Sequence, residues 1–126
     1  MNTCESLYCQ IFLNTELKKS DIIKGLENLL NTKSIGNVIA LESVEIELRD
    51  NERFEQKLCK EATNRFLYFP YYIEVDPFPE QTQENQINLV SKILEYSWSS
   101  GFEVVASCNY EELLPNSGGY KKQKLT

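Results

Sequence analysis

Carboxylates are the most frequent chemically active groups in this sequence. Glu45 and Glu47 stand two residues apart in the alternating run VEIEL, which places both on one face of a strand, about 7 Å apart. Such a pair can act as general acid and base, but glutamates alternating along an edge strand more often prevent sheet-to-sheet aggregation. A second acidic group, Glu74, Asp76, Glu80 and Glu84, lacks the spacing of a calcium loop. We expect neither catalysis nor a metal site here.

Other catalytic groups are missing from the sequence or lack partners. The chain has no histidine, the usual general base and transition-metal ligand. Its serines have no base partner and no GxSxG context. The four cysteines, Cys4, Cys9, Cys59 and Cys108, lack zinc-site spacing, and Cys9 and Cys108 lie in apolar runs where we predict buried thiols. The sequence therefore predicts a protein that is not an enzyme and that holds no metal and no cofactor.

The composition predicts one acidic globular domain. The chain has 126 residues, 41% of them hydrophobic, and a formal net charge of −6. We assign residues 1–126 to a single domain with a folded core at 7–120 and a disordered tail at 121–126. Acidic proteins do not release counterions from phosphates, so we expect no nucleic-acid and no membrane partner. The N-terminus has no apolar signal segment, which favours a cytoplasmic location.

The negative charge is concentrated in the middle of the chain. Residues 42–84 hold eleven acids against five bases, whereas residues 1–41 and 85–126 are each balanced at four and four. A solvated surface that keeps the protein soluble would explain this. A docking surface for a basic partner is the alternative, because tyrosines among carboxylates supply contact area and electrostatic steering.

Hydrophobic periodicity predicts the order β-α-β-β-α-β. Alternating apolar residues indicate strands over 7–13, 37–50, 66–76 and 102–108. Helical spacing follows an N-cap at Ser20 and ends near Asn31; a second helix follows Thr82 and ends at Gly101. The polar stretch 51–65 fits either a short helix or a loop.

This order is typical of the ferredoxin-like split βαβ fold, an α+β arrangement with a four-stranded antiparallel sheet. Each predicted helix has one apolar stripe, so we expect both helices on one face of the sheet. The other face would then stay open, with a surface of aromatic and acidic side chains. Its expected members are Tyr8, Phe12, Tyr68, Tyr72, Glu45, Glu47 and Val105.

Three segments, FLYFPYYIEVDP, NLVSKILEYSWSSG and ASCNYEELLPNSGGY, give the chain a resemblance to small bacterial immunity proteins. It is similar to those encoded beside contact-dependent growth inhibition and related polymorphic toxins. The resemblance spans most of residues 7–120 and includes no functional motif. It implies a cytoplasmic inhibitor that binds one cognate toxin domain, often a nuclease, and covers the surface that this toxin uses for its anionic substrate.

The leading hypothesis is therefore a non-enzymatic immunity protein that blocks a basic toxin surface, acting as a monomer or weak dimer. An alternative is a dimeric ferredoxin-like regulatory domain that binds a small molecule. The predicted partner-binding residues are acids and tyrosines of the middle segment: Glu42, Glu45, Glu47, Asp50, Glu52, Glu55, Tyr68, Tyr72, Glu74 and Asp76.

Overall fold

The computed structural model describes residues 6–120; Cys4 and the predicted tail at 121–126 lie outside this range. Within it, the chain forms five strands and three α-helices. In order they are β1 (Cys9–Asn14), α1 (Lys19–Leu30), β2 (Val38–Ala40), β3 (Val44–Asp50), α2 (Gln56–Glu61), β4 (Tyr71–Pro77), α3 (Gln83–Ser99) and β5 (Glu103–Ser107). None of the helices in this range combines the length and apolar composition that a bilayer crossing requires. The predicted α+β class is confirmed.

The sheet is antiparallel and has the strand order β2-β3-β4-β1-β5. The prediction of four strands is wrong, because the run at 37–50 is a hairpin. β2 and β3 pair across a turn at 41–43, where the Leu41 N–H donates to the Val44 carbonyl at 2.9 Å. The sheet therefore gains a short fifth strand at its edge.

The helices α1 and α3 cover one face of this sheet. Burial of their apolar stripes against the strands forms the main core, and each fully buried aliphatic side chain contributes roughly 1.5–3 kcal/mol. The core includes Ile11, Leu13, Ile46, Leu48, Ile73 and Val75 from the sheet, with Ile22, Leu26, Val90 and Ile93 from the helices. Along β3 the buried residues alternate with exposed or half-buried charged ones, as the sequence predicts.

The helix boundaries follow the sequence signals in part. The Thr82 hydroxyl caps α3 by accepting from the Asn85 N–H at 3.1 Å, and Gly101 follows α3 with a φ of +87°, so both predictions are confirmed. The predicted N-cap at Ser20 is wrong: α1 begins at Lys19, and Lys18 precedes it without a side-chain cap. Asn31 ends α1 in the left-handed conformation.

Part of the second sheet face is covered by the crossing segment, which we define as residues 51–70. Its Cys59 and Phe69 bury Phe12 of β1 in a small aromatic cluster, and Phe66 packs edge-on against Phe12 with ring centroids 5.4 Å apart. Val105, opposite Phe12 in the β1–β5 register, is also buried. The prediction that Phe12 and Val105 line an open face is therefore wrong.

The crossing segment also changes two predicted elements. Its polar part forms the short helix α2, one of the two possibilities the sequence left open. The predicted strand at 66–76 begins only at Tyr71, because Arg65–Tyr68 forms a 3-10 helix and Pro70 follows it. Proline cannot donate to a strand ladder, so the ladder starts after it. Tyr68 accordingly lies in the crossing segment and not on a strand.

Asn51, the first residue after β3, joins the two ends of the crossing segment to each other. Its buried side-chain amide donates to the carbonyls of Leu67 at 3.0 Å and Phe69 at 2.7 Å, and its side-chain oxygen accepts from the Arg53 N–H at 3.0 Å. Arg65 adds a second anchor with a 2.9 Å ion pair to Glu103 of β5. Long-range hydrogen bonds thus hold the segment where its aromatic residues are buried.

The outer edge of β5 is covered by the chain after it. Gly119, with a φ of +103°, lies so close that a Cβ atom there would meet the Val104 carbonyl oxygen. Tyr120 follows and packs its ring against Phe66, with centroids 5.4 Å apart. This edge of the sheet is therefore closed to strand addition.

We expect Asn51→Ala to destabilise the fold by about 1–3 kcal/mol, because it leaves two backbone carbonyls without their donor. Asn85→Ala, at an exposed position of α3, is the matched control and should change stability by at most about 0.5 kcal/mol. Urea denaturation measures both. Equal losses for the two variants would contradict the anchoring role of Asn51.

We expect Gly119→Ala to cost more stability than Gly101→Ala. Both glycines have positive φ, which costs an alanine about 1–2 kcal/mol, but a Cβ at Gly101 meets open space. Only Gly119→Ala adds a clash with the β5 backbone. Thermal unfolding of the two variants checks this difference, and identical melting temperatures would show that the C-terminal segment does not press on β5.

Candidate functional site

The uncovered part of the second sheet face carries four carboxylates in two cross-strand rows. Glu45 of β3 lies opposite Asp76 of β4, and Glu47 lies opposite Glu74. Directly opposed side chains have Cβ atoms about 4.5–5.5 Å apart, and like charges at that spacing destabilise the pair. We call these four residues the acidic face; Glu45 and Asp76 form its first row and Glu47 and Glu74 its second.

The second row is partly neutralised by its neighbours. Arg49, next along the same face of β3, places Nη1 3.7 Å from Glu47 Oε1 and 3.6 Å from Glu74 Oε1. Tyr8 donates a hydrogen bond from its hydroxyl to Glu74 Oε2 at 2.8 Å. The charges of this row are therefore shared with a cation and a hydroxyl of the same chain.

The pKa values of these two partners reflect their positions. The Arg49 pKa is raised by Tyr72, and then by Glu47 and Glu74, whose negative charges favour its protonated form. The Tyr8 pKa is raised mainly because burial disfavours the phenolate, and further because the hydroxyl donates to Glu74. Tyr8 thus stays a protonated donor that holds the Glu74 carboxylate in place.

The first row has no such compensation. Among residues 6–120, neither Glu45 nor Asp76 has an ion-pair partner or a side-chain hydrogen bond, and both are exposed. Arg49 lies opposite Tyr72, on the far side of the second row from the first row. Its guanidinium therefore pairs with Glu47 and Glu74 and not with the first row. Two opposed carboxylates therefore face water without a cation from the described part of the chain.

Two of the clefts at the acidic face are lined by aromatic side chains. One, of about 290 Å³, adjoins the first row and is lined by Tyr8, Asp76 and Phe78 together with Pro77 and Pro79. Phe78 is 38% exposed there, which is unusual for so large an apolar side chain. Aromatic rings beside a carboxylate offer both contacts that a guanidinium or ammonium group favours, cation–π and ion pairing.

The second cleft, of about 270 Å³, lies between the sheet and the start of the crossing segment. Gln10, Phe12 and Tyr72 form its floor, while Glu52 and Arg53 stand at its rim with Asn51. Tyr72 is half-buried and its ring centroid lies 6.1 Å from that of Phe12. The acidic face thus has an aromatic contact surface at each end.

The structure divides the predicted binding residues into two groups. Five share the uncovered face: Glu45, Glu47, Tyr72, Glu74 and Asp76. The other five lie elsewhere: Glu42 in the β2–β3 turn, Asp50 on the helix side, Glu52 and Glu55 in the crossing segment, and Tyr68 in its 3-10 helix. Asp50 pairs with Lys19 at 3.0 Å, and Glu55 caps α2 by accepting from the Leu58 N–H at 2.8 Å. These two carboxylates have structural partners.

Three residues at or beside the acidic face were not among the predicted binding residues. Arg49 was identifiable, because strand alternation places it on the same face as Glu45 and Glu47. Tyr8 was expected on this face, but its bond to Glu74 depends on the pairing of β1 with β4. Phe78 follows β4 between two prolines, and no periodic signal indicates its exposure.

The opposed carboxylates and flanking aromatic rings of the acidic face can contact a guanidinium or ammonium group. Among residues 6–120, no group of three or more His, Cys, Asp and Glu side chains is placed to hold a metal ion. The chain matches no known family model, no curated protein and no solved structure. The geometry of the acidic face is therefore the main guide to its function.

We expect Glu45→Gln to raise the stability of the isolated protein by about 0.2–1 kcal/mol, because it removes one of two opposed like charges. The gain should shrink at high salt, where the repulsion is screened. Asp76→Asn should give a similar gain, and the double variant little more than either alone. Glu16→Gln, exposed in the loop after β1, is the control. Chemical denaturation at two salt concentrations measures all four; a loss of stability in Glu45→Gln would contradict the repulsion.

Proposed function

We propose that the protein is a non-enzymatic immunity protein that binds a cognate toxin domain and neutralises it by covering a basic surface. The observation that carries this proposal is the uncompensated first row, Glu45 opposite Asp76, beside an exposed aromatic cleft. A toxin domain that acts on nucleic acid is the partner class that fits best. The proposal includes a cytoplasmic location, where such a toxin would act.

Repulsion between the carboxylates of the acidic face lowers the stability of the free protein. Opposed carboxylates weaken the pairing of β3 with β4, and an arginine or lysine from a partner placed between them would convert this repulsion into attraction. The gain on binding therefore exceeds that for carboxylates which already have partners. A partner that presents such cations is favoured over a neutral one.

A nuclease needs basic groups where it contacts phosphates. An acidic inhibitor that occupies those groups excludes the substrate sterically and electrostatically. Opposite charge also steers the encounter, which raises the association rate at low salt. Tyr72 and Phe78 would supply the buried contact area, since aromatic side chains contribute most to binding energy at interface centres.

We further infer that the core is ferredoxin-like, with β2 as an added edge strand. Without β2, the remaining order β3-β4-β1-β5 and the connecting helices α1 and α3 match the split βαβ pattern expected from the sequence. The addition of β2 places β3 inside the sheet, so the carboxylates of β3 are flanked by strands on both sides.

The acidic face also bears on the dimeric regulatory alternative. Pairing of two copies through this face would bring two sets of unneutralised carboxylates together, which costs energy. We therefore expect that the protein does not pair through this face and that its sedimentation does not depend on concentration.

We expect Asp76→Lys to weaken binding to the toxin domain by tenfold or more, with most of the change in the association rate, because it reverses a charge in the first row. The control is Glu95→Lys, which makes the same change of net charge on exposed α3. Tyr72→Ala should cost about 2 kcal/mol or more if the ring is an anchor. Calorimetry and binding kinetics measure these values.

The partner for this experiment is the product of the neighbouring upstream reading frame. Cells that express it should survive when the immunity protein is co-expressed. Absence of binding heat together with absence of protection would end the proposal. Equal effects of Asp76→Lys and Glu95→Lys would show that net charge, and not the acidic face, governs binding.

A further inference from the structure

Two cysteines meet across the β1–β5 ladder, on the opposite side of the sheet from the acidic face. Gln10 pairs with Ser107, so one further step along the ladder places Cys9 opposite Cys108. Opposed residues of antiparallel strands have Cα atoms about 4.5 or 5.5 Å apart, and both values fall within the range of about 4.4–6.8 Å that a disulfide spans. Both thiols are free, and each changes the pKa of the other.

The two thiols differ in exposure. Cys9 is fully buried in the main core, whereas Cys108 is only half-buried at the end of β5 and packs against the same core. A reagent from solvent therefore reaches Cys108 first. Cys9 lies directly behind it, in the position of a resolving thiol.

The two thiols are chemically unequal. Interaction with the Cys9 thiol lowers the Cys108 pKa, whereas the same interaction, together with burial, raises the Cys9 pKa. The other polar groups facing Cys108 are Tyr110, Glu111 and Tyr120. The negative charge of Glu111 raises the Cys108 pKa. The Glu111 carboxylate also accepts hydrogen bonds from the Cys108 N–H at 2.9 Å and from the Tyr120 hydroxyl at 3.3 Å.

Cys59 offers an internal comparison. It is buried in the small cluster under α2, and within residues 6–120 no other thiol lies beside it. Its pKa is raised, mainly by burial, which keeps it in the unreactive thiol form. Residues 6–120 thus hold one thiol predicted to be inert and a pair of neighbouring thiols predicted to react.

We propose that Cys108 and Cys9 form a peroxide-reactive thiol pair that closes to an intramolecular disulfide. The Cys108 thiolate attacks one oxygen of hydrogen peroxide, the O–O bond breaks, and the hydroxide that leaves takes a proton to become water. Cys108 is then a sulfenic acid. The Cys9 sulfur attacks the Cys108 sulfur, the S–O bond breaks, and the departing oxygen leaves as water with the Cys9 proton. Two thiols are oxidised by two electrons, and one peroxide is reduced to two waters.

The disulfide would join the start of β1 to the end of β5 and lock the register of that pair. This property does not rest on the proposed function, because neither cysteine belongs to the acidic face. Failure of either proposal leaves the other standing.

The test treats the reduced full-length protein with one equivalent of hydrogen peroxide and follows its intact mass and its peptide map. We expect the loss of two hydrogen atoms and a single cross-linked peptide that joins Cys9 to Cys108. Cys59→Ser should behave like the wild type. Cys9→Ala should stop at a Cys108 sulfenic acid that dimedone traps. A link from Cys108 to Cys4 or to a second molecule, or an unchanged mass, would overturn the proposal.

A second measurement needs no variant. Iodoacetamide alkylation of the native reduced protein should modify Cys108 at least tenfold faster than Cys59, since each unit by which the Cys108 pKa lies below that of Cys59 raises the thiolate fraction about tenfold. Peptide mapping follows each cysteine separately. Equal rates at Cys108 and Cys59 would contradict the assigned reactivity of the pair.

Discussion

The helices α1 and α3 bury only one face of the five-stranded sheet, so the second face must be covered by other parts of the chain or carry side chains that tolerate water. Both solutions occur. At one end the crossing segment, held by Asn51 and Arg65, buries Phe12 under aromatic residues. At the other end the acidic face remains uncovered. The position of the acidic face is therefore set by how far the crossing segment extends.

The opposed carboxylates at the uncovered end reduce the stability of the isolated protein. Strand register places each carboxylate of β3 opposite one of β4, and only the second row is relieved by Arg49 and Tyr8. Burial fixes this arrangement, because a shift of one residue would move the core residues of β3 into water. The proposed basic partner would relieve the remaining repulsion, which connects the stability of the sheet to the proposed binding.

The sequence predicted those features of the fold that depend on residues close together in the chain. Alternation in VEIEL identified the acidic side of β3, and Thr82 and Gly101 marked the ends of α3. The β2–β3 hairpin was missed because its turn at 41–43 has none of the usual glycine or asparagine signals and β2 has only three residues. The crossing segment was missed because Asn51 acts through carbonyls sixteen and eighteen residues away. The Cys9–Cys108 pair required the β1–β5 register, which alternation alone does not give.

We propose that a basic protein domain binds the uncovered end of this sheet. Chemical-shift mapping on isotope-labelled protein, with unlabelled toxin domain added in steps, tests this binding. We expect the largest amide shifts in β3, in β4 and around Phe78, and we expect them to weaken as salt is added. Shifts confined to α1 and α3, on the opposite side of the sheet, would contradict it.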